Sequence, residues 1–587
     1  MKKLLLLFLL ISNLLNAQVL ETFPSTSTLQ EPSNFINFNN KMFYFARDAS
    51  YEFALYATDG TTAENQIIKS LGFAFGSNLT DKNAFNDYKI IYKNKLYFNF
   101  SNTLYESDGT TAGTKIFMSS LLNAKYFKIF NDRLYFITVS GDYGAEIWST
   151  DGTVAGTKLL KDINPGYTSA FNYVVYGPHF TIFNNKLFFV ANDAVHGYEL
   201  WSTDGTEAGT SLFKDIRTTD GDDPVGYGGF AWETYSEPNF KVVGNKMYFG
   251  ANPHITSVEN YMVGDSPILY ETDGTPEGTF FVQPPLDPRY NYNYLYDVRG
   301  MTVIDDKLFV FCRQAFHDFQ GIKNGGIYLV DASKPISRLI ELVGNAGDAG
   351  TNEDVERYSM RPFNGEYYFL GKTYDNTDAI NLWKMNPTDY SFTKITQATN
   401  LTNPDFSDSN ISLNLLVAKE IDNKLFFVKT DISAGQIFST DGTVSGTQFQ
   451  AKSSSNNHVN TTQYAQGMSV IPSSLFSFNN ALYFKAQFAL GQPNGLWRLN
   501  FTSLSNSNFE KIENNIYPNP TNGIVNISST ENLKSVQVFD ILGKQILEKN
   551  IFSTQTQLDL SNFISGVYLL KIESKNGKIK TQKIIKK

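Results

Sequence analysis

The chain has 587 residues, more than one ordinary hydrophobic core accommodates, so several domains or a repeat array are expected. A net charge of −9 argues against nucleic-acid binding, which needs a basic face to neutralise phosphates. Aromatic residues make up 15% (48 Phe and 33 Tyr) and there are 42 Gly, a composition suited to pleated, half-buried sheets joined by tight turns and hence to an all-β fold.

The N-terminus reads as an address. Lys2 and Lys3 precede an apolar run that begins at Leu4, and the small residue Ala17 follows. This is the pattern of a secretory signal peptide, residues 1–17, cut before Gln18. Its apolar stretch of about a dozen residues is too short to cross a bilayer of roughly 30 Å as a helix. No later segment is long and apolar enough, so no transmembrane segment is expected.

From 18 to 500 one unit recurs. Two-residue polar turns precede β-rich runs at Asn39-Asn40, Lys93-Asn94, Asn131-Asp132, Asn184-Asn185, Gly244-Asn245, Asp305-Asp306, Asn364-Gly365, Asp422-Asn423 and Asn479-Asn480. Type I′ hairpins need positive φ at both central positions, which Asn, Asp and Gly tolerate best. A second element follows each hairpin and is clearest in the run from Glu199 through Trp201 to Asp204-Gly205-Thr206. Equivalent turns begin at Asp59, Asp108, Asp151, Asp273 and Asp441, and the pattern decays at Ile327–Asp331, Leu382-Trp383 and Leu496-Trp497. Each unit thus supplies about four short strands with apolar residues on both faces. Stacking such sheets covers those faces, and closing the stack protects its ends. The expected architecture is a repeat β-propeller-like ring of eight or nine blades.

The Glu-Leu-Trp-x-x-Asp-Gly-Thr run at 199–216 and its close copy at 146–163, with Ile147 in place of Leu, resemble the bacterial ELWxxDGT repeat family. That resemblance implies a propeller-like array in exported proteins and no settled ligand or activity. The Asp of each Asp-Gly-Thr is expected to cap its own turn. The alternative, an oxygen lent to calcium, suffers from the few oxygens the motif offers, and no cofactor is assigned. Trp148 and Trp201 are expected to pack between blades, and Cys312, the single cysteine, within an apolar strand.

Chemistry is hard to find in the array. His179, His196, His254, His317 and His458 show no metal-ligand spacing, and nucleophile-elbow, His-Glu-x-x-His and phosphate-loop patterns are missing. No catalytic residue and no metal site is assigned, although two distant carboxylates meeting in a cleft stay open. The candidate ligand loop lies between Ile216 and Phe240, where Asp222, Tyr227, Trp232 and Tyr235 combine aromatic faces for sugar rings with a carboxylate for hydroxyls. The competing reading is packing of these aromatics on the neighbouring blade.

Residues 501–514 form a polar linker. The segment 515–587 opens with Tyr517-Pro518-Asn519-Pro520 and Gly523, and four strand-like runs follow: Ile524–Ile527, Ser535–Phe539, Thr556–Leu560 and Gly566–Ile572. A small C-terminal β-sandwich is expected. Ten Lys against five acidic residues give this segment +5 and leave −14 for the rest.

The Tyr517–Gly523 motif, Val538–Lys544 with Gly543, Ser565–Ile572 with Gly566 and Tyr568, and the basic end at Lys583–Lys587 resemble the type A C-terminal sorting domain of the type IX secretion system. The resemblance implies recognition by that export machinery, cleavage by a sortase-like peptidase, a Bacteroidetes-type source, and release or attachment at the cell surface. The leading expectation for function is a secreted or cell-surface binding or adhesion module for glycan or protein. The alternatives are a polysaccharide hydrolase and a structural adhesin without a small-molecule ligand.

Overall fold

The hairpins follow from their turn residues. In the computed structural model, Phe183 pairs with Lys186, so only Asn184 and Asn185 remain in the loop, at φ 45° and 57°. Both central residues also take positive φ at Asn39-Asn40, Lys93-Asn94, Asn131-Asp132, Asp305-Asp306, Asn364-Gly365, Asp422-Asn423 and Asn479-Asn480, and Gly244 does so in the remaining turn. The structure describes residues 18–23, 29–61, 65–73, 88–171, 177–217, 240–252, 267–282, 293–316, 323–330, 337–341, 360–371, 381–395, 412–430, 435–449, 469–470, 475–487, 495–501, 514–530, 532–540, 545–551, 553–575 and 579–587. The expected signal peptide, residues 502–513 of the 501–514 linker, the loop residues Asp222, Tyr227, Trp232 and Tyr235, three histidines (His254, His317, His458) and Gly543 lie outside the described residues.

Each hairpin opens an antiparallel unit of four strands. In the fourth unit these are Thr181–Phe183, Lys186–Asn192, Tyr198–Thr203 and Ser211–Lys214, in sequence order across the sheet. Among the described residues nine units recur: 30–72, 89–116, 122–161, 181–214, 241–281, 293–341, 360–394, 412–449 and 469–501. The ninth departs from sequence order. Gln18–Thr22, from the start of the chain, lies beside its Gly495–Phe501 strand and completes its sheet. The Phe23 amide continues that contact by donating to the Leu496 carbonyl at 2.9 Å.

Strand alternation distributes the core. In the second strand of the fourth unit, Phe188 and Val190 join a cluster shared with Met247 and Phe249 of the fifth. Leu187, Phe189 and Ala191 point the other way, into a cluster with Tyr135 and Ile137 of the third. Each core therefore draws on two neighbouring units rather than one. Another such cluster joins Met42, Tyr44 and Tyr56 of the first unit to Phe478, Tyr483 and Leu496 of the ninth. Trp201 lies in the core between the third and fourth units, Trp148 in the core between the second and third, and Cys312 is buried between the fifth and sixth.

The chain divides into two compact bodies, one spanning Val19–Asn500 and the other containing Phe501–Lys587. The second holds a three-stranded sheet (Asn514–Tyr517, Ile524–Ser529, Gln555–Asp559) and a four-stranded one (Gln545–Asn550, Leu533–Phe539, Gly566–Ser574, Ile579–Lys586). Val525, Ile527, Val536, Val538, Leu558, Leu570, Ile572 and Ile584 fill its core. Three of these strands exceed the four that alternation predicts. Gln545–Asn550 buries none of its side chains and Ile579–Lys586 is rich in Lys, so neither carries a clean apolar face. No described helix is long and apolar enough to cross a membrane.

Candidate functional site: a polar cleft among the inner strands

Neighbouring units meet largely through their first strands. Leu122–Phe130 lies against Lys89–Tyr92, Met360–Phe363 against Asn293–Ile304, and Ser412–Ile421 against both Met360–Phe363 and Phe476–Phe478. These mutually facing first strands are termed the inner strands.

A cleft of about 680 Å³ opens among three of them, in the eighth, ninth and first units. Glu420, Ile421 and Asp422 contribute from the eighth, Ser477 to Asn480 from the ninth and Asn37 to Asn40 from the first. The hairpins bring together positions more than 380 residues apart. Phe38, Ile421 and Phe478 are the buried apolar floor, while Asn37, Glu420 and Asp422 are exposed. Asn37 and Ser477 hydrogen-bond to no other described residue, so an amide and a hydroxyl remain open to a ligand. Asn39 and Asn479 are committed elsewhere: their amides donate to the carbonyls of Asp108 and Asp59, at 3.2 and 2.6 Å.

The cleft residues were missed because each looks like an ordinary turn flank. A signal existed. Three positions before the second turn residue, the other units place Ile91, Ile129, Ile182, Val242, Val303 and Pro362. The first, eighth and ninth units place Asn37, Glu420 and Ser477 there instead, opposite Met42, Leu425 and Leu482.

The Asp-Gly-Thr turns form a repeated network. Asp204 Oδ1 accepts the Thr206 amide at 2.8 Å and its hydroxyl at 2.7 Å. Thr206 Oγ1 accepts the Gly209 amide at 2.9 Å, and Thr203 Oγ1 accepts the Gly205 amide at 2.9 Å. A Cβ on Gly209 would stand 2.1 Å from Asp204 Oδ1, which accounts for the second glycine of the motif. Asp59, Asp108, Asp151, Asp273 and Asp441 hold their own turn threonines in the same way. Each such turn also meets the preceding unit: Tyr97 donates to the Gly152 carbonyl at 3.4 Å and Asn184 to that of Asp273 at 2.7 Å. Among the described residues no three His, Cys, Asp or Glu gather as a metal site.

The Glu that opens each best-matching repeat is fully buried. Glu146 accepts backbone N–H groups of Ile163, Asn164 and Ala170 at 3.1, 3.1 and 3.2 Å. Glu199 accepts those of Ile216 and Arg217 at 2.9 and 3.1 Å. Burial pushes the Glu146 carboxyl up to about 8 against the pull of its three donors. Both carboxylates pin the segment that leaves the fourth strand. On the fourth unit's other loop, His196 Nδ1 lies 2.8 Å from Asp193 Oδ2.

In the C-terminal body, Asn519 acts as a clasp. Its amide donates to the Lys583 carbonyl at 2.7 Å and its oxygen accepts the Ile585 amide at 2.9 Å. Gly523, at φ 154°, sits where a Cβ would meet Ser561 Oγ at 2.4 Å. Tyr568 is buried and donates to the Ile564 carbonyl at 2.7 Å, whereas Tyr517 is exposed. Pro518 and Pro520 follow cis peptide bonds, and Gly566 has open space around it.

Residues 515–587 match the family described as "Secretion system C-terminal sorting domain". The tail is a type IX secretion sorting domain. A sorting domain of this kind marks its carrier as a secreted, cell-surface protein. Among curated relatives, ulvan lyase NLR42 of Nonlabens ulvanivorans is 29% identical over 91 residues, 15% of this chain and 17% of that protein. Among solved structures, PorZ, a surface component of the type IX secretion system of Porphyromonas gingivalis, is 12% identical, with 94% of this chain and 75% of that one covered and a TM-score of 0.24. The β-propeller domain of the Trilobed protease from Pyrococcus furiosus is 11% identical, with 73% and 99% covered and a TM-score of 0.31.

Proposed function

We propose that the protein is an exported glycan-binding module, presented by its sorting domain and holding its ligand in the cleft among the first, eighth and ninth units. The observation that carries this reading is the lining: open amide, hydroxyl and carboxylate groups over an apolar floor, a combination that bonds hydroxyls and covers a sugar's apolar face. The scaffold in this reading is a closed ring of nine ELWxxDGT-type units. It is supported by one seam contact made three times, from Asn39 to Asp108, Asn184 to Asp273 and Asn479 to Asp59, the last of which joins the ninth unit to the first. A glycan array on the purified protein tests the function. Binding that Asn37→Leu weakens about tenfold, as loss of one good hydrogen bond would, supports it; binding unaffected by Asn37→Leu and Ser477→Ala together refutes it.

The second reading is a polysaccharide hydrolase, and it rests on Glu420 and Asp422 lining the same cleft. Release of reducing ends, abolished by Glu420→Gln or Asp422→Asn, would favour it.

A further inference from the structure

The inner strands carry a second pattern, one position further from the turn. Four residues before the second turn residue, the third, fifth, seventh and eighth units place Lys128, Lys241, Arg361 and Lys419. The register confirms that these sites are equivalent. They stand opposite Tyr135, Tyr248, Tyr368 and Phe426, the aromatic at one fixed place in each second strand. All four basic side chains are half-buried.

Three buried lysines of the array have visible partners. Lys485 pairs with Glu31 at 2.8 Å, Lys89 donates to Asn34 Oδ1 at 3.3 Å, and Lys125 stands 5.1 Å over the Tyr126 ring. Lys128 and Lys419 differ, since neither makes a hydrogen bond or ion pair with another described residue. Burial holds both ammonium groups below the ordinary lysine value, and for Lys419 the like charge of Arg361 adds to the effect. A half-buried cation without a counter-ion costs free energy in the folded state. A set of cations at one repeated position in a chain with net charge −9 also makes a local positive potential.

We propose that Lys128, Lys241, Arg361 and Lys419 bind the acidic groups of a carboxylated or sulfated glycan lying along the inner strands. This rests on the glycan-binding reading above and specifies the ligand's charge. A row spread over four units suits a polymer bearing several acidic groups better than a single ion. Arg361, which also feels the attraction of the Glu420 carboxylate, adds its charge beside Lys419, and the lysines act as point charges.

The test is titration calorimetry of the purified protein with polygalacturonate, dextran sulfate and neutral dextran at about 0.1 M salt, where charges further apart than roughly 10 Å are screened. Binding of at least one charged polymer and not of dextran is expected. Lys419→Gln and Lys128→Gln should each weaken it about tenfold, the loss of one charge-assisted bond. Lys419→Arg should restore it, and Lys158→Gln on an exposed fourth strand should leave it unchanged, which separates the inner row from general surface charge. Equal affinity of wild type and the Lys128→Gln/Lys419→Gln double variant overturns the proposal, as does failure to bind either charged polymer. If neutral sugars on the array still bind through Asn37 in that case, the glycan-binding reading survives; if nothing binds, both fall.

Discussion

Single carboxyl groups in this chain illustrate opposite uses of the same chemistry. Asp59, Asp108, Asp151, Asp204 and Asp273 sit below their ordinary carboxylate range because a Thr hydroxyl and amide both favour the anion. A depressed folded-state value contributes stability that is present above the unfolded value and lost as pH falls through the folded one. Acidification below about pH 4 should therefore loosen these turns together. Amide exchange at Thr206 and its equivalents, followed from pH 5 down to 3 against the intrinsic rate, checks this; protection that stays constant refutes it. Glu146 runs the other way. Its folded value near 8 exceeds that of an unfolded Glu, so the folded state binds the extra proton between the two, and stability from this site falls as pH rises from about 4.5 to 8. Glu146→Gln, which keeps an acceptor and removes the titration, should flatten that slope in urea melts. A slope equal to wild type would show that the carboxyl is ionised throughout.

At the scale of strands, neighbouring residues in one strand belong to different cores. Phe188 and Phe189 are adjacent and both fully buried, yet the first packs toward the fifth unit and the second toward the third. Replacing either with Ala should cost about 3–5 kcal/mol, the usual price of a large buried aromatic. The location of the damage should differ: hydrogen exchange should speed up in Lys246–Ala251 for Phe188→Ala and in Arg133–Ser140 for Phe189→Ala. Identical exchange maps would contradict the alternating cores. This level was largely legible in the sequence, because a two-residue turn demands positive φ and Asn-Asn or Asp-Asn announces it. The exceptions have physical reasons. Gln18–Thr22 finds its place in the ninth sheet through a partner far away in sequence, which no local pattern can report. The cleft depends on Asn37, Glu420 and Ser477 coming together, and each alone is only a polar residue beside a turn.

Across the whole molecule, stability passes from unit to unit, as in arrays where each repeat supports its neighbours. Phe23, edge-on to Tyr483 at 5.2 Å with Arg498 4.7 Å over its ring, ties the start of the array to the ninth unit and joins the core that unit shares with the first, so the array's ends depend on each other. Deleting residues 18–23 should lower the unfolding midpoint and raise exchange in both Ala481–Gln487 and Lys41–Arg47. A loss confined to the ninth unit would show that its contact with the first carries little energy. The strand Gln18–Thr22 also sets an order in time. It stands at the beginning of the array's sequence, and its partner Gly495–Phe501 is almost the last part of the array to be synthesised. Earlier units can settle as the chain grows, but the earliest strand must wait, unpaired, for nearly the entire polypeptide. The array thus withholds its final sheet until nearly the whole chain is present, and a product truncated before Gly495 lacks both that sheet's partner strand and the sorting domain that follows it.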